Sequence, residues 1–223
     1  MQIKLAPGWH TYWRYPGDAG VPPRLDWSAS TNVAEVRVSW PAPERIKLDG
    51  GLGSIGYHGD IILPLQIKPK DPSRPVSLRL KLDFGVCEKI CIPAEAKAAI
   101  DVPAGFAGKN ALLDAADKRV PSPAPLGKGK QLGVVSVKLD RGSAPRALID
   151  VVVPQDKPFD LFAEGPTDEW ALPLPSKIDA ASGRARFVLP IDGAPSGVAP
   201  IPQTLRLTLV AGDEAIEVVT PLN

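Results

Sequence analysis

Cysteine and histidine are scarce in this 223-residue chain, with two of each. A structural zinc site would need four ligands from that small stock, which argues against one. Charge of one sign is absent as a block. The formal net charge is +1 with no basic or acidic run, so nothing points to nucleic-acid binding or to an anionic membrane surface. Long apolar runs are missing too. No stretch approaches the roughly 20 residues that a membrane helix needs, so direct membrane insertion by this chain is not expected. The opening Met1–Pro7 lacks the basic start and apolar core of a secretory signal. Either a signal precedes this numbering or the protein is cytosolic, and two cysteines do not choose between those compartments.

Turn-forming residues, by contrast, are abundant. The 26 prolines and 20 glycines are spread as punctuation rather than gathered into a low-complexity tract, which favours many short strands. The predicted fold is all-β: one unit over residues 1–120, then a second, smaller β-sandwich over 130–223. Expected strands in the first part are Ile3–Leu5, the aromatic run Trp9–Tyr15, Arg24–Trp27, Val33–Trp40, Ile61–Ile67 and Val76–Phe84. The one helical stretch is 109–118, near the boundary, with Leu112, Leu113 and Ala116 directed at the protein body. Pro121–Lys130 reads as a linker. Six further strands are expected beyond it, in a region with no cysteine, no histidine and no motif that carries chemistry. A spacer or docking role suits that second domain.

Chemistry concentrates where the cysteines are. Cys87-Glu88-Lys89-Ile90-Cys91 follows Val76–Phe84, whose strict apolar–polar alternation marks a half-buried strand. A second apolar stretch ends in Ala99–Val102. If the two runs pair, Cys87 and Cys91 flank a three-residue turn on neighbouring strands. Facing residues there lie about 4.5–5.5 Å apart between Cα atoms, inside the range of about 4.4–6.8 Å that a disulfide requires. A ring this small stabilises a fold by only about 2 kcal/mol, against about 4–5 for a loop of a hundred residues. A chain of this size can bury a sizeable core without that help, so a redox role outweighs a staple. A hairpin staple or two free thiols remain the alternatives.

Four pieces occur in order: Pro7-Gly-Trp-His-Thr-Tyr-Trp-Arg-Tyr-Pro-Gly-Asp-Ala-Gly20, the strand end Trp40-Pro41, Gly56-Tyr-His-Gly-Asp60 leading to Leu63-Pro64, and Cys87-Glu-Lys-Ile-Cys-Ile-Pro-Ala-Glu95. Together they resemble the periplasmic N-terminal domain of the DsbD family of disulfide reductases, and within it the ScsB branch associated with copper tolerance. The resemblance covers residues 1 to about 120 firmly and the remainder more loosely. It implies an immunoglobulin-like sandwich working in the periplasm as a protein-disulfide reductase component. Its cysteine pair, Cys87 and Cys91 here, would accept electrons from a membrane-embedded donor domain and pass them to oxidised thioredoxin-like periplasmic proteins. No metal or organic cofactor is required by that chemistry. Which cysteine forms the mixed disulfide stays open, the more exposed and more acidic thiol being expected to attack first.

In relatives an aromatic-bearing loop caps the cysteines. The corresponding Leu48–Tyr57 is mostly glycine, so Tyr57 is its only candidate cap, and Tyr12 lies on a strand that approaches the cysteines in relatives. The chain ends at Asn223 with neither membrane helices nor a thioredoxin-like domain, and so reads as a fragment or as a free-standing relative that borrows its donor. Two rival functions accompany this one. A non-enzymatic adaptor would simply hold partner proteins with its two sandwiches. A copper-binding module would use Cys87, Cys91 and His58, because soft thiolates suit Cu(I).

Overall fold

A computed structural model describes residues 1–47, 53–106, 108 and 110–222. Among these, the chain is all-β apart from one short helix. It divides into two compact units. The first comprises 1–16, 20–43 and 55–120, and the second 17–19, 44–54 and 121–223.

In the first unit, β1 (Gln2–Ile3), β2 (His10–Gly17), β3 (Arg24–Asp26) and β4 (Val33–Val38) are followed by β5 (Glu44–Lys47), whose residues belong to the second unit. Then come β6 (Gly53–His58), β7 (Ile61–Ile62), β8 (Leu65–Pro69), β9 (Val76–Cys87) and β10 (Cys91–Val102). The main sheet runs β10–β9–β2–β6, with β3 also paired to β9. The long hairpin keeps one register throughout, from Cys91 opposite Cys87 to Val102 opposite Val76. Its alternation does what the sequence predicts. Val76, Leu78, Leu80 and Leu82 are buried, each contributing about 1.5–3 kcal/mol of transfer free energy. Ser77, Arg79, Lys81 and Asp83 stay partly exposed between them. Arg79 pairs with Asp101, and Lys81 with Asp83 and Glu95. Trp13, Ile55 and Leu63 complete the core.

At the top of β9 the alternation reverses. Gly85 and Cys87 are buried although they share the face of Arg79 and Lys81. The reason is local: that face is covered at this end by residues of β2.

The helix α1 spans Ala111–Asp117, with Asn110 as its cap, the side chain accepting from the Leu113 amide. Ala116 is buried and Leu113 half-buried, but Leu112 is 64% exposed, contrary to expectation. In a helix of two turns, positions three apart share a face, and Leu112 lies about 100° round from Leu113. The expected strand 61–67 is also interrupted: it divides into β7 and β8 around Leu63-Pro64.

The second unit contains β11 (Ser122–Pro123), β12 (Gly133–Asp140), β13 (Arg146–Val152), β14 (Phe159–Glu164), β15 (Ser176–Ala181), β16 (Arg184–Pro190), β17 (Thr204–Ala211) and β18 (Glu214–Pro221). They form two four-stranded sheets, β11–β18–β17–β14 and β12–β13–β16–β15, around one apolar cluster. Ile149, Phe187 and Leu189 enter it from one sheet, and Leu161, Leu205, Leu207 and Leu209 from the other. The start of the expected linker is structured, since Ser122 and Pro123 pair in parallel with Ile216 and Glu217. Segments 17–19 and 44–47 are held in this unit by polar contacts. Asp18 accepts from the Leu174 amide at 3.0 Å, and Arg45 grips Asp160 with two hydrogen bonds at 2.7 and 2.9 Å.

Candidate redox site

The hairpin turn Glu88–Ile90 brings the cysteines together, and Cys87 and Cys91 are disulfide-bonded with 4.1 Å between their Cα atoms. Their surroundings differ sharply. Cys87 is 1% exposed, whereas Cys91 is exposed. Topology explains the contrast. Cys87 ends a central strand with β10 on one side and β2 on the other, while Cys91 begins β10, which has one neighbour in the sheet order. Pro93 stands two residues further along β10, a position that an outer strand tolerates because a missing N–H breaks no ladder there. Ile90 in the turn is 71% exposed.

Tyr12 is the closest side-chain partner described. Its hydroxyl donates towards Cys87 Sγ at 2.9 Å and Cys91 Sγ at 3.2 Å, since sulfurs in a disulfide carry no proton. Burial pushes the Tyr12 phenol above its ordinary pKa, so it remains a neutral donor through the physiological range. The ring is fixed by two glycines. A Cβ on Gly85 would stand 2.8 Å from its Cε2, and one on Gly20 would crowd its other edge. Gly20 also has φ of +142°, a backbone conformation that L side chains rarely adopt. Val21, 56% exposed, follows it beside Gly85.

A row of side chains extends from the sulfurs across the sheet. His10 faces Cys87 in the β2–β9 register, and paired residues project on the same side. The His10 ring meets the Tyr12 ring edge-on at 6.0 Å and lies 5.5 Å from the His58 ring on β6. His10 is 4% exposed and His58 is exposed.

Of the residues singled out from the sequence, the structure joins Cys87, Cys91 and Tyr12 in one cluster. Tyr57 is 4% exposed and its hydroxyl donates to the Pro41 carbonyl at 2.8 Å. That placement favours a core role over a cap. Most of the expected cap loop, residues 48–52, lies outside the described residues. Gly85, Gly20 and Val21 were missed. An isolated glycine inside the alternating run 76–87 is itself a signal of close approach, and Gly85 carried it. Among the described residues no group of three or more His, Cys, Asp or Glu side chains is arranged to hold a metal ion. A cavity lined in part by Tyr12 measures about 10 Å³, room for one water at most.

The site is thus a short-ring disulfide with one buried and one exposed cysteine, held against a phenol. Residues 1–103 match the family described as thiol:disulfide interchange protein DsbD, N-terminal. They are a DsbD N-terminal domain. The chain is also similar to the crystal structure of the N-terminal periplasmic domain of ScsB from Proteus mirabilis, with a TM-score of 0.72 at 20% identity. That likeness covers 100% of this chain and 85% of the other, so the all-β fold is shared beyond the DsbD-type domain and through the second unit. No curated protein matches the sequence. No helix among the described residues is long and apolar enough to cross a membrane.

Proposed function

We propose that this DsbD-type chain shuttles electrons in the periplasm by thiol–disulfide exchange, with Cys87 and Cys91 as the redox pair. The observation that carries the reading is the unequal exposure of the two cysteines within one hairpin. A donor thiolate, from a membrane-embedded or thioredoxin-like donor, reaches Cys91, and the S–S bond breaks with the electron pair moving to Cys87. A second donor thiolate resolves the mixed disulfide and leaves both cysteines reduced. In the delivery half, the Cys91 thiolate attacks the disulfide of an oxidised thioredoxin-like protein, and Cys87 then displaces the product. Tyr12 holds its hydroxyl against whichever sulfur carries charge, which favours the thiolate. The second unit, without cysteine or histidine, serves as spacer or docking domain.

The test pairs two variants with a potential. Cys87→Ser leaves the exposed Cys91 and is expected to trap mixed disulfides with an oxidised thioredoxin-like protein. Cys91→Ser leaves the buried Cys87 and is expected to trap few. Equal trapping by both variants would remove the assigned roles. A reduction potential below about −300 mV would mark the bond as a permanent staple and remove the function.

A further inference from the structure

Strand β10 is exposed at all but two of its positions, Ala94 and Val102. Among the described residues it pairs with β9 alone, so its outer edge is open. The 4.1 Å between the Cα atoms of Cys87 and Cys91 marks a non-hydrogen-bonded pair, the closer of the two antiparallel kinds. The Glu88 amide, which donates to the Ile90 carbonyl within the turn, agrees. Bonding to β9 then alternates from Ile92 onward, and the backbone groups of Glu95, Lys97, Ala99 and Asp101 point outward. Pro93 is an outward position too, without an N–H. The even-numbered residues continue an apolar face. Ala96, Ala98 and Ile100 stand opposite Leu82, Leu80 and Leu78, on the same side of the sheet. The leucines are buried, whereas both alanines are exposed and Ile100 is 60% exposed. The odd-numbered face is charged. Glu95 stands opposite Asp83 and Lys97 opposite Lys81, and like charges that face each other directly are unfavourable. The diagonal Lys81–Glu95 and along-strand Lys97–Glu95 ion pairs, at 3.3 and 3.2 Å, offset this in part.

We propose that β10 is a homodimer seam, two copies of this chain pairing their β10 edges antiparallel about a two-fold axis at Ala96. The proposal is independent of the exchange function. In that register Glu95 faces Lys97 of the second copy and Lys97 faces its Glu95. On the other face Ala94 meets Ala98, Ile92 meets Ile100, and Ala96 meets its own counterpart. Outward residues oppose outward residues, so each Glu95–Lys97 pair exchanges two backbone hydrogen bonds. The patch is the same on both copies, as a two-fold interface requires. A slip of one residue sets outward backbone groups against inward ones. A slip of two, in either direction, sets Lys97 against Lys97 or Glu95 against Glu95. The charges therefore select a single register. Proline and lysine on an edge usually discourage strand addition. Here Pro93 falls opposite Ala99, where its carbonyl still accepts and only one bond is lost, and Lys97 meets a counter-charge. A second copy is the occupant because this edge supplies its own complement, in charge on one face and in apolar surface on the other.

Sedimentation velocity of the oxidised full chain, from about 1 to 200 μM, is expected to show the mass rising toward twice that of the monomer. Glu95→Lys and Lys97→Glu lie at exposed positions and should fold as the parent does. Each is expected to weaken dimerisation about tenfold or more. An equimolar mixture of the two is expected to regain it, since each copy then supplies the charge that the other lacks. Ala96→Cys, made together with Cys87→Ser and Cys91→Ser, reads the register. The axis sets its two copies about 4.5 Å apart between Cα atoms, so air oxidation should link them. Ala98→Cys in the same background is offset from its counterpart by roughly 13 Å along the strand and should stay unlinked. A chain that is monomeric throughout leaves the edge to another protein and overturns the proposal. A dimer indifferent to both charge reversals, a mixture that fails to restore it, or equal linking at positions 96 and 98 overturns it as well. If the serine background fails to fold, the charge-reversal mixture decides alone.

Discussion

Tyr12→Phe isolates the one contact that both sulfurs share. The substitution deletes the hydroxyl and keeps the ring that Gly20 and Gly85 enclose, so packing changes little. What is lost is a donor at 2.9 Å from Cys87 Sγ and 3.2 Å from Cys91 Sγ. To the neutral disulfide that hydrogen bond is weak, because disulfide sulfur is a poor acceptor. To a thiolate it is charge-assisted, and such bonds contribute about 1.5–3 kcal/mol. The reduced state therefore loses more than the oxidised one. At about 30 mV per 1.4 kcal/mol for a two-electron couple, the potential should move roughly 30–65 mV in the negative direction. Equilibration against a dithiothreitol series at pH 8, read by alkylation and mass, measures it. Tyr57→Phe is the matched control. Its hydroxyl serves the buried Pro41 carbonyl, so it should lower stability by about 1–3 kcal/mol and leave the potential in place. A Tyr12→Phe potential within about 10 mV of the parent, or one moved upward, would refute the claim that this phenol favours the reduced pair.

Gly85→Ala should push the Tyr12 ring off the sulfurs. The overpacking costs about 1–3 kcal/mol, against a gain of about 0.5–1 from removing a strand glycine, so denaturant unfolding should show a net loss and the potential should follow Tyr12→Phe. The Asp150 carboxyl lies below its ordinary range because Arg186 hydrogen-bonds it. A depressed folded-state pKa stabilises above the unfolded value and is lost as pH falls through the folded one. Asp150→Asn should thus be less stable than the parent at pH 7 and indistinguishable from it in strong acid, as thermal melts across pH will show. Leu112→Glu, at an exposed helix position, should change stability by less than about 0.5 kcal/mol. Ala116→Glu, at the buried one, should cost several-fold more.

The sequence carried the hairpin because its signals agreed. Alternation in 76–84, an abrupt turn and a second apolar run all require the same pairing, and the register from Cys87 to Val76 obeys it. Helix α1 was legible as an element but not in its facing, since Leu112 and Leu113 are chemically alike and only the docked turn distinguishes them. Strand β15 was invisible. Ser176–Ala181 is exposed at every position, so it is defined by its pairing with β16 and leaves no apolar pattern to read. The placement of Tyr57 was not legible: a tyrosine after a glycine-rich stretch looks the same whether its ring turns outward or to the core, and here its hydroxyl meets the buried Pro41 carbonyl.

The difference in exposure between the two cysteines is a property of strand order rather than of the five residues Cys87–Cys91. A symmetrical two-stranded hairpin would leave both cysteines equally open. Here β9 gains a second neighbour at its last residues, where β2 contributes only His10 and Thr11 to the pairing. That short contact is enough to bury Cys87 and to lay Tyr12 across the bond, while β10 remains the outer strand and keeps Cys91 accessible. The same contact sets His10 opposite Cys87 in the register. One two-residue pairing therefore separates the exposures of the two cysteines.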